Sequence, residues 1–283
     1  MTKLDSKPSG YRVLSLEQES PAQSRETDAE IIERLRERFD ILDDMTRAVK
    51  KGAVRAMIVS GAPGVGKSFG VEKVLGKHEL MADIAGNEKL KKYEIVKGAM
   101  SAIGLYSKLY EFSAEKNILV FDDCDSVLLD DLSLNILKAA LDTSKKRTIH
   151  WNTDSRLLRA EGVPNSFEFK GGAIFITNIN FQNIKSKKLQ DHLMALESRC
   201  HYIDLTIHTE REKMLRIKQI VGDGMLAEYN FTAEETAELV AFVDENKRRL
   251  RELSLRTVLK TADLMRSFPQ GKWRRVAQIS LMK

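Results

Sequence analysis

Arg55-Ala56-Met57-Ile58-Val59-Ser60 is an apolar run with strand character, and Gly61-Ala62-Pro63-Gly64-Val65-Gly66-Lys67-Ser68 follows it without a break. The octapeptide matches G-x4-G-K-[S/T], and a position between a strand and a helix is the context in which that pattern wraps nucleotide phosphates. Glycine lets the backbone close around an anion, so successive N–H groups and the next helix's N-terminus face the phosphate oxygens. Lys67 is then expected to reach the outer phosphates and Ser68 to give an oxygen to Mg2+, with Phe69 closing the nucleotide-contacting set that starts at Gly61. A mere glycine turn is the alternative, and a full match of this length is rare by chance.

Working outward, four more short apolar runs alternate with helical or loop segments: Tyr93 to Lys97, Asn117 to Asp122, Ala173 to Thr177 and His201 to Leu205. Strands separated by helices predict an α/β fold with a five-stranded parallel sheet covered on both faces. Upstream, Ile31, Ile32, Leu35, Phe39, Leu42, Met45 and Val49 recur at three- and four-residue steps, the stripe of an amphipathic helix that ends before Gly52. Residues 1–25 mix Ser, Pro, Lys and Gln without a period and read as a flexible arm. Downstream of residue 208 the strand pattern stops, and helical stretches at 209–221, 232–249 and 253–268 predict a separate helical domain over 209–283. The α/β domain then covers 26–208. Between its third and fourth strands, a helix near Asp131 to Leu141 is followed by two β-like runs, Arg147 to Asn152 and Ser166 to Lys170, which predict an inserted hairpin over 147–170.

Ile118-Leu119-Val120-Phe121-Asp122-Asp123 is an apolar strand that ends in two carboxylates. Ligands of open α/β folds bind at the carboxyl edge of the sheet, where these acids emerge. Asp122 is expected to hold Mg2+ through its water shell, and Asp123 to orient or deprotonate an attacking water. A solvent-facing turn is the other reading of two adjacent acids, and the phosphate loop argues against it. His78, His150, His192, His201 and His208 show no paired helical ligand motif, and Cys200-His201 lacks zinc-site spacing, so structural roles are expected there.

With these motifs in place, the sequence from about residue 30 to residue 266 resembles the AAA+ ATPase family. GAPGVGKS resembles its Walker A motif and FDDCDS its Walker B, with Asp122 and Asp123 as the acids. The family's usual second acid is Glu, so Asp123 is one methylene short, which implies slower hydrolysis or a displaced water but unaffected binding. The resemblance also implies a sensor-1 role for Asn178 at the end of AIFIT, an arginine-finger role for Arg199 at the end of SKKLQDHLMALESR, and a sensor-2 role for Arg256 in LSLRTVLK. Each has a plainer reading. Asn178 suits a turn, Arg199 is a cation favoured at a helix C-terminus, and Glu252 lies four residues before Arg256, the spacing of a helix-face ion pair. In the family the sheet order is 5-1-4-3-2 and nucleotide sits between sheet domain and helical lid. The resemblance further implies ATP hydrolysis in a ring, commonly of six subunits, in which Arg199 completes the neighbour's site.

Composition bounds the rest. The 283 residues carry 46 Lys and Arg against 41 Asp and Glu, a net charge of +5, with 42% hydrophobic residues. The basic balance (pI about 9.0) favours a polyanionic partner without requiring one. Apolar runs such as Ile118 to Phe121 are far shorter than the ~18 residues of a membrane span, the first residues lack a secretory apolar stretch, and two Cys make no disulfide framework. A reduced, cytosolic protein without membrane contact is the expectation. Three functions stay open. One is a nucleic-acid motor or a loader of a replication enzyme, supported by the basic pI and by Arg156, Leu157, Leu158 and Arg159 beside Trp151 in the hairpin. Another is a protein remodeller or unfoldase that grips polypeptide with Met100, Ile103 and Tyr106 after the second strand. The last is a scaffold that binds ATP with little turnover, in keeping with Asp123. Basic clusters such as Lys145, Lys146, Arg147 and Lys247, Arg248, Arg249, Arg251 read first as solvated faces.

Overall fold

The computed structural model describes residues 26–76, 92–268 and 270–283, so the arm expected over 1–25 lies outside the described residues. Thr27 opens the first helix, α1 (Asp28–Lys50), with a capping box. Its hydroxyl accepts from the Glu30 N–H at 3.3 Å, and the Glu30 carboxylate accepts from the Thr27 N–H at 2.7 Å. Ile31, Leu35, Phe39, Leu42 and Val49 form the buried stripe, as their spacing requires.

Five strands follow: β1 (Ala56–Ser60), β2 (Tyr93–Lys97), β3 (Ile118–Asp122), β6 (Gly172–Thr177) and β7 (His201–Asp204). They form one parallel sheet in the order β2-β3-β6-β1-β7, which is 2-3-4-1-5 when these five are counted along the chain. Side chains alternate between two cores. Ile58, Leu119, Phe121, Ala173 and Phe175 face one side, where Phe121 stacks on Phe175 with ring centroids 5.0 Å apart. Met57, Val59, Ile118, Val120, Ile174 and Ile176 face the other, against α1 and α2 (Lys67–Gly76). The first face is covered by α3 (Ala102–Glu111), α4 (Ser126–Leu129), α5 (Asp131–Ala140) and α7 (Lys187–Glu197).

The register positions the site. Ser60 pairs with Thr177 and Ile176 with Asp122, so the residues leaving β1, β3 and β6 emerge together at the carboxyl edge.

In the insertion, β4 (Thr148–His150) pairs antiparallel with β5 (Ser166–Glu168). The segment between them is not an open polar loop. Ser155 caps a short helix, α6 (Arg156–Ala160), and Leu158, Val163 and Trp151 are buried in the first core while Leu157 stays exposed. Arg159 is engaged by Asp154 at 3.0 Å. The alternative of a polypeptide grip loses its aromatic. Tyr106 is fully buried, its ring against Trp151 and Phe167 and its hydroxyl donating to Pro164 O at 2.9 Å, while Met100 and Ile103 pack on the same core.

After β7 come α8 (Glu210–Gly222), α9 (Ala233–Asn246), α10 (Leu255–Ser267) and α11 (Lys272–Leu281), which share a core of their own around Leu239, Phe242, Val258 and Trp273. The helix at α11 is absent from the periodicity reading. Only Trp273 and Ala277 of its ten residues are buried, too few to raise a stripe. No helix among the described residues is long and apolar enough to cross a membrane.

Candidate nucleotide-binding site

Gly61 to Gly66 arch between β1 and α2. Gly64 (φ +71°) and Gly66 (φ +102°) take left-handed backbone conformations that side chains resist, which is why the loop needs glycine at those places. Lys67, the first residue of α2, is buried. All three of its ammonium protons are used: Gly61 O at 2.7 Å, Ala62 O at 3.0 Å and Asn178 Oδ1 at 2.7 Å. Burial pushes Lys67 down to about 8, with Asp123 pulling the other way. Phe69, the third residue of that helix, is 66% exposed.

The two acids divide. Asp122 is buried and accepts from Ser68 Oγ at 2.8 Å through Oδ1, while its Oδ2 faces Lys97 Nζ at 3.4 Å. Asp123 has φ +50°, a conformation that Asp tolerates better than most residues. That turn points it away from the strand, its N–H donating to Ile176 O at 3.0 Å and its Oδ1 accepting from Asn178 Nδ2 at 2.8 Å. Asn178 therefore joins Lys67 on one side to Asp123 on the other.

The donor chemistry fits Mg2+, a hard cation that takes oxygen ligands, since the Ser68 hydroxyl and an Asp122 carboxylate oxygen lie side by side. The glycine arch fits a polyphosphate, because a Cβ on Gly64 would fill the cradle's lip at 2.7 Å from Ser254 Cβ.

Arg256 stands exposed in the first turn of α10, close enough for its charge to depress the Lys67 ammonium. The helix-face pairing with Glu252 does not form. The helix starts at Leu255, so Glu252 precedes it, and its carboxylate turns instead toward Gly64. Arg199 is not brought to the phosphate loop. It sits in the turn before β7, at the opposite edge of the sheet, separated by at least the length of that strand, roughly 13 Å. There it donates to Ala195 O, and its Nε is buried without a partner.

No family model matches the chain. Over 247 residues, 86% of this chain and 73% of the relative, it is 36% identical to an uncharacterized 36.7 kDa protein from the nrdC-mobD intergenic region of Enterobacteria phage T4. The chain belongs to that protein's family. Solved structures similar to this family member include the replication initiator DnaA bound to AMPPCP and single-stranded DNA (12% identity, TM-score 0.46, 82% of this chain and 62% of that one). The S. cerevisiae Hsp104:casein complex (17%, 0.46, 84% and 39%) and the ADP form of the Aeropyrum pernix ORC2 protein (14%, 0.44, 89% and 68%) are others. The chain spans less than two thirds of the first two.

Around the site, the structure of this phage-protein relative adds residues that the motifs leave out. Lys97 bridges Asp122 to Glu72 on α2, 3.0 Å away. Its position was recoverable, because a parallel pairing of the second and third strands puts Lys97 opposite Asp122. Asp125 accepts from Thr177 Oγ1 at 2.7 Å, and burial raises its carboxyl. Arg216 is buried with its guanidinium 3.5 Å from the centroid of the Phe39 ring, where burial lowers it to about 10. It lines a cavity of about 10 Å3 with Gly64, Val65, Leu253, Ser254 and Leu255. No local motif marks it, since its neighbours come from three distant segments.

Proposed function

We propose that this chain is an AAA+ ATPase that binds and hydrolyses ATP in a ring assembly and acts on nucleic acid. The single observation that carries the ATPase reading is Asn178, hydrogen bonded at once to Lys67 and to Asp123. It links the cation of the phosphate loop to the acid that meets water. The sheet order and the convergence of three strand ends on that edge support the same reading.

In this reading the loop N–H groups and Lys67 hold the phosphates, and Ser68 and Asp122 hold Mg2+. Bound there, the metal neutralises phosphate charge. Asp123 orients the attacking water and takes its proton, while Asn178 keeps that carboxylate turned toward the phosphates. Arg256 and the C-terminal helices act as a lid over the loop. Arg199, at the far edge of its own sheet, serves a neighbouring subunit's site. Burial of Tyr106 removes the aromatic of the polypeptide grip and favours nucleic acid over unfolded protein as substrate.

Titration with a fluorescent ATP analogue and Mg2+ tests the site, with Lys67→Ala expected to abolish binding; unchanged affinity would remove the phosphate-loop assignment. ATPase assays with single-stranded DNA, duplex DNA, RNA and an unfolded protein test the substrate. Stimulation by the unfolded protein alone would replace nucleic acid with polypeptide, and turnover near zero with all of them would favour an ATP-controlled scaffold.

A further inference from the structure

Charge is distributed very unevenly along this chain. Residues 247–283 carry eleven Lys and Arg against two acids, Glu252 and Asp263, while the first 246 residues carry 35 against 39. Neither acid shields the cations around it broadly, since Asp263 faces Arg266 at 3.8 Å and Glu252 turns toward Gly64. Arg274 is taken by Glu238 at 3.0 Å and Arg248 by Glu210 at 3.7 Å. Among the described residues, Arg249, Arg251, Lys272 and Arg275 have no carboxylate partner. Arg251 Nε donates to Met282 O, and Arg275 reaches only Gln278.

The fold joins the two segments that carry these four. Leu250 and Met282 form an antiparallel bridge with both side chains buried, and the Lys283 N–H donates to Arg249 O at 2.9 Å. Side chains alternate across such a bridge, so Arg249 and Arg251 turn outward beside the end of α11. On that helix Trp273 and Ala277 face the core. Lys272, Arg275 and Ile279, at i, i+3 and i+7, share the opposite face, which runs roughly 15 Å toward the bridge. Ile279 is 66% exposed in the middle of it.

We propose that this face, formed by Arg249, Arg251, Lys272, Arg275 and Ile279, binds the phosphate backbone of a nucleic acid. The proposal rests on the nucleic-acid part of the function above and not on the nucleotide site. Guanidinium forks match phosphate oxygens, and cations that no carboxylate neutralises keep their charge for a polyanion. Ile279 offers an apolar rest for a sugar or base, and one such side chain is too little to insert into lipid. Because α11 shares a core with α10, whose first residue is hydrogen bonded to Gly64, movement of these helices with nucleotide would carry the bound backbone.

The experiment measures binding of a fluorescein-labelled oligonucleotide, single-stranded and duplex, across a salt series. Arg249→Ala/Lys272→Ala/Arg275→Ala spares Arg251, whose bond to Met282 is structural. It should weaken binding at least tenfold and flatten the logarithmic salt slope by about 2 to 3 units, with an unchanged melting temperature and unchanged affinity for the ATP analogue. Arg156→Ala/Arg159→Ala on the insertion is the matched comparison and should leave the slope nearly intact. Loss of slope in the insertion variant alone would overturn the proposal while keeping nucleic acid as substrate. Failure of the wild-type chain to bind either oligonucleotide, or preferential binding of polyglutamate through the same three residues, would overturn both.

Discussion

The Leu255 N–H donates to Gly64 O at 2.9 Å, so the turn that starts α10 is hydrogen bonded directly to the loop that arches between β1 and α2. Helices more than 180 residues further along the chain thereby sense the conformation of the phosphate loop. The cavity beside this contact is only about 10 Å3, so movement of the turn at 253–255 is needed before it admits anything larger than a water.

Gly64→Ala tests that contact. The new Cβ would stand 2.7 Å from Ser254 Cβ and 2.9 Å from its Oγ, at a φ of +71°. Strain at such a position costs about 1 to 3 kcal/mol. We expect a lower melting temperature and weaker binding of the ATP analogue, with the loss of affinity persisting at temperatures where the variant is fully folded. Wild-type affinity would show that the turn and the loop are uncoupled.

Asp123→Asn should bind nucleotide and lose turnover, because Asp122 and Ser68 remain and the Asn amide oxygen still accepts from Asn178. Asn178→Ala should also bind nucleotide and turn over slowly, since it frees the Asp123 carboxylate and removes one of three acceptors from Lys67. Single-turnover phosphate release measures both. Wild-type turnover in Asp123→Asn would assign the water to another residue.

Arg199→Ala should leave nucleotide affinity intact, because the sheet lies between Arg199 and its own phosphate loop. Arginine fingers contribute about 10^3 to 10^5 in rate, a loss that a steady-state assay reads directly. Mixing Arg199→Ala with Asp123→Asn chains should restore part of the activity if Arg199 acts across a subunit junction. Proven mixed assemblies without restored activity would leave Arg199 a structural role.

Glu212 predicts an acid limb in stability. Burial alone would raise its carboxyl, but Arg34 at 2.7 Å and the Thr209 backbone and hydroxyl outweigh burial and hold it at about 2. A carboxylate depressed in the folded state contributes stability that is complete above its unfolded value of 4.5 and is lost as pH falls through about 2. Glu212→Gln should cost about 3 kcal/mol at neutral pH and make the decline below pH 4.5 shallower, as followed by urea unfolding across the pH range. An unchanged acid limb would show that the Arg34 pair, which ties α1 to α8, adds nothing net.

Local patterns made the sheet and its cargo of motifs readable. Strand and helix periods are properties of neighbouring residues, and a phosphate loop is contiguous, so β1, α1 and the Gly61–Ser68 arch follow from the chain alone. α11 did not, because its inward face is only Trp273 and Ala277. The insertion shows the same limit, since nothing local says that Leu158 turns inward while Leu157 turns out.

From the sequence by itself came the fold class, the phosphate loop, the paired acids at a strand end and the candidate roles of Asn178, Arg199 and Arg256. Tertiary structure alone decided which of these touch. It joined Lys67 to Asn178 and Asn178 to Asp123, sent Arg199 to the far edge, turned Glu252 from a partner of Arg256 into a neighbour of Gly64, and bridged the segment of Arg249 and Arg251 to the end of the helix that carries Lys272 and Arg275. The physical reason is range. Hydrophobic period and glycine conformation act over a few residues, whereas a hydrogen bond across 55 positions or a charged face built from two segments exists only after the sheet register and the Leu250 to Met282 bridge have closed.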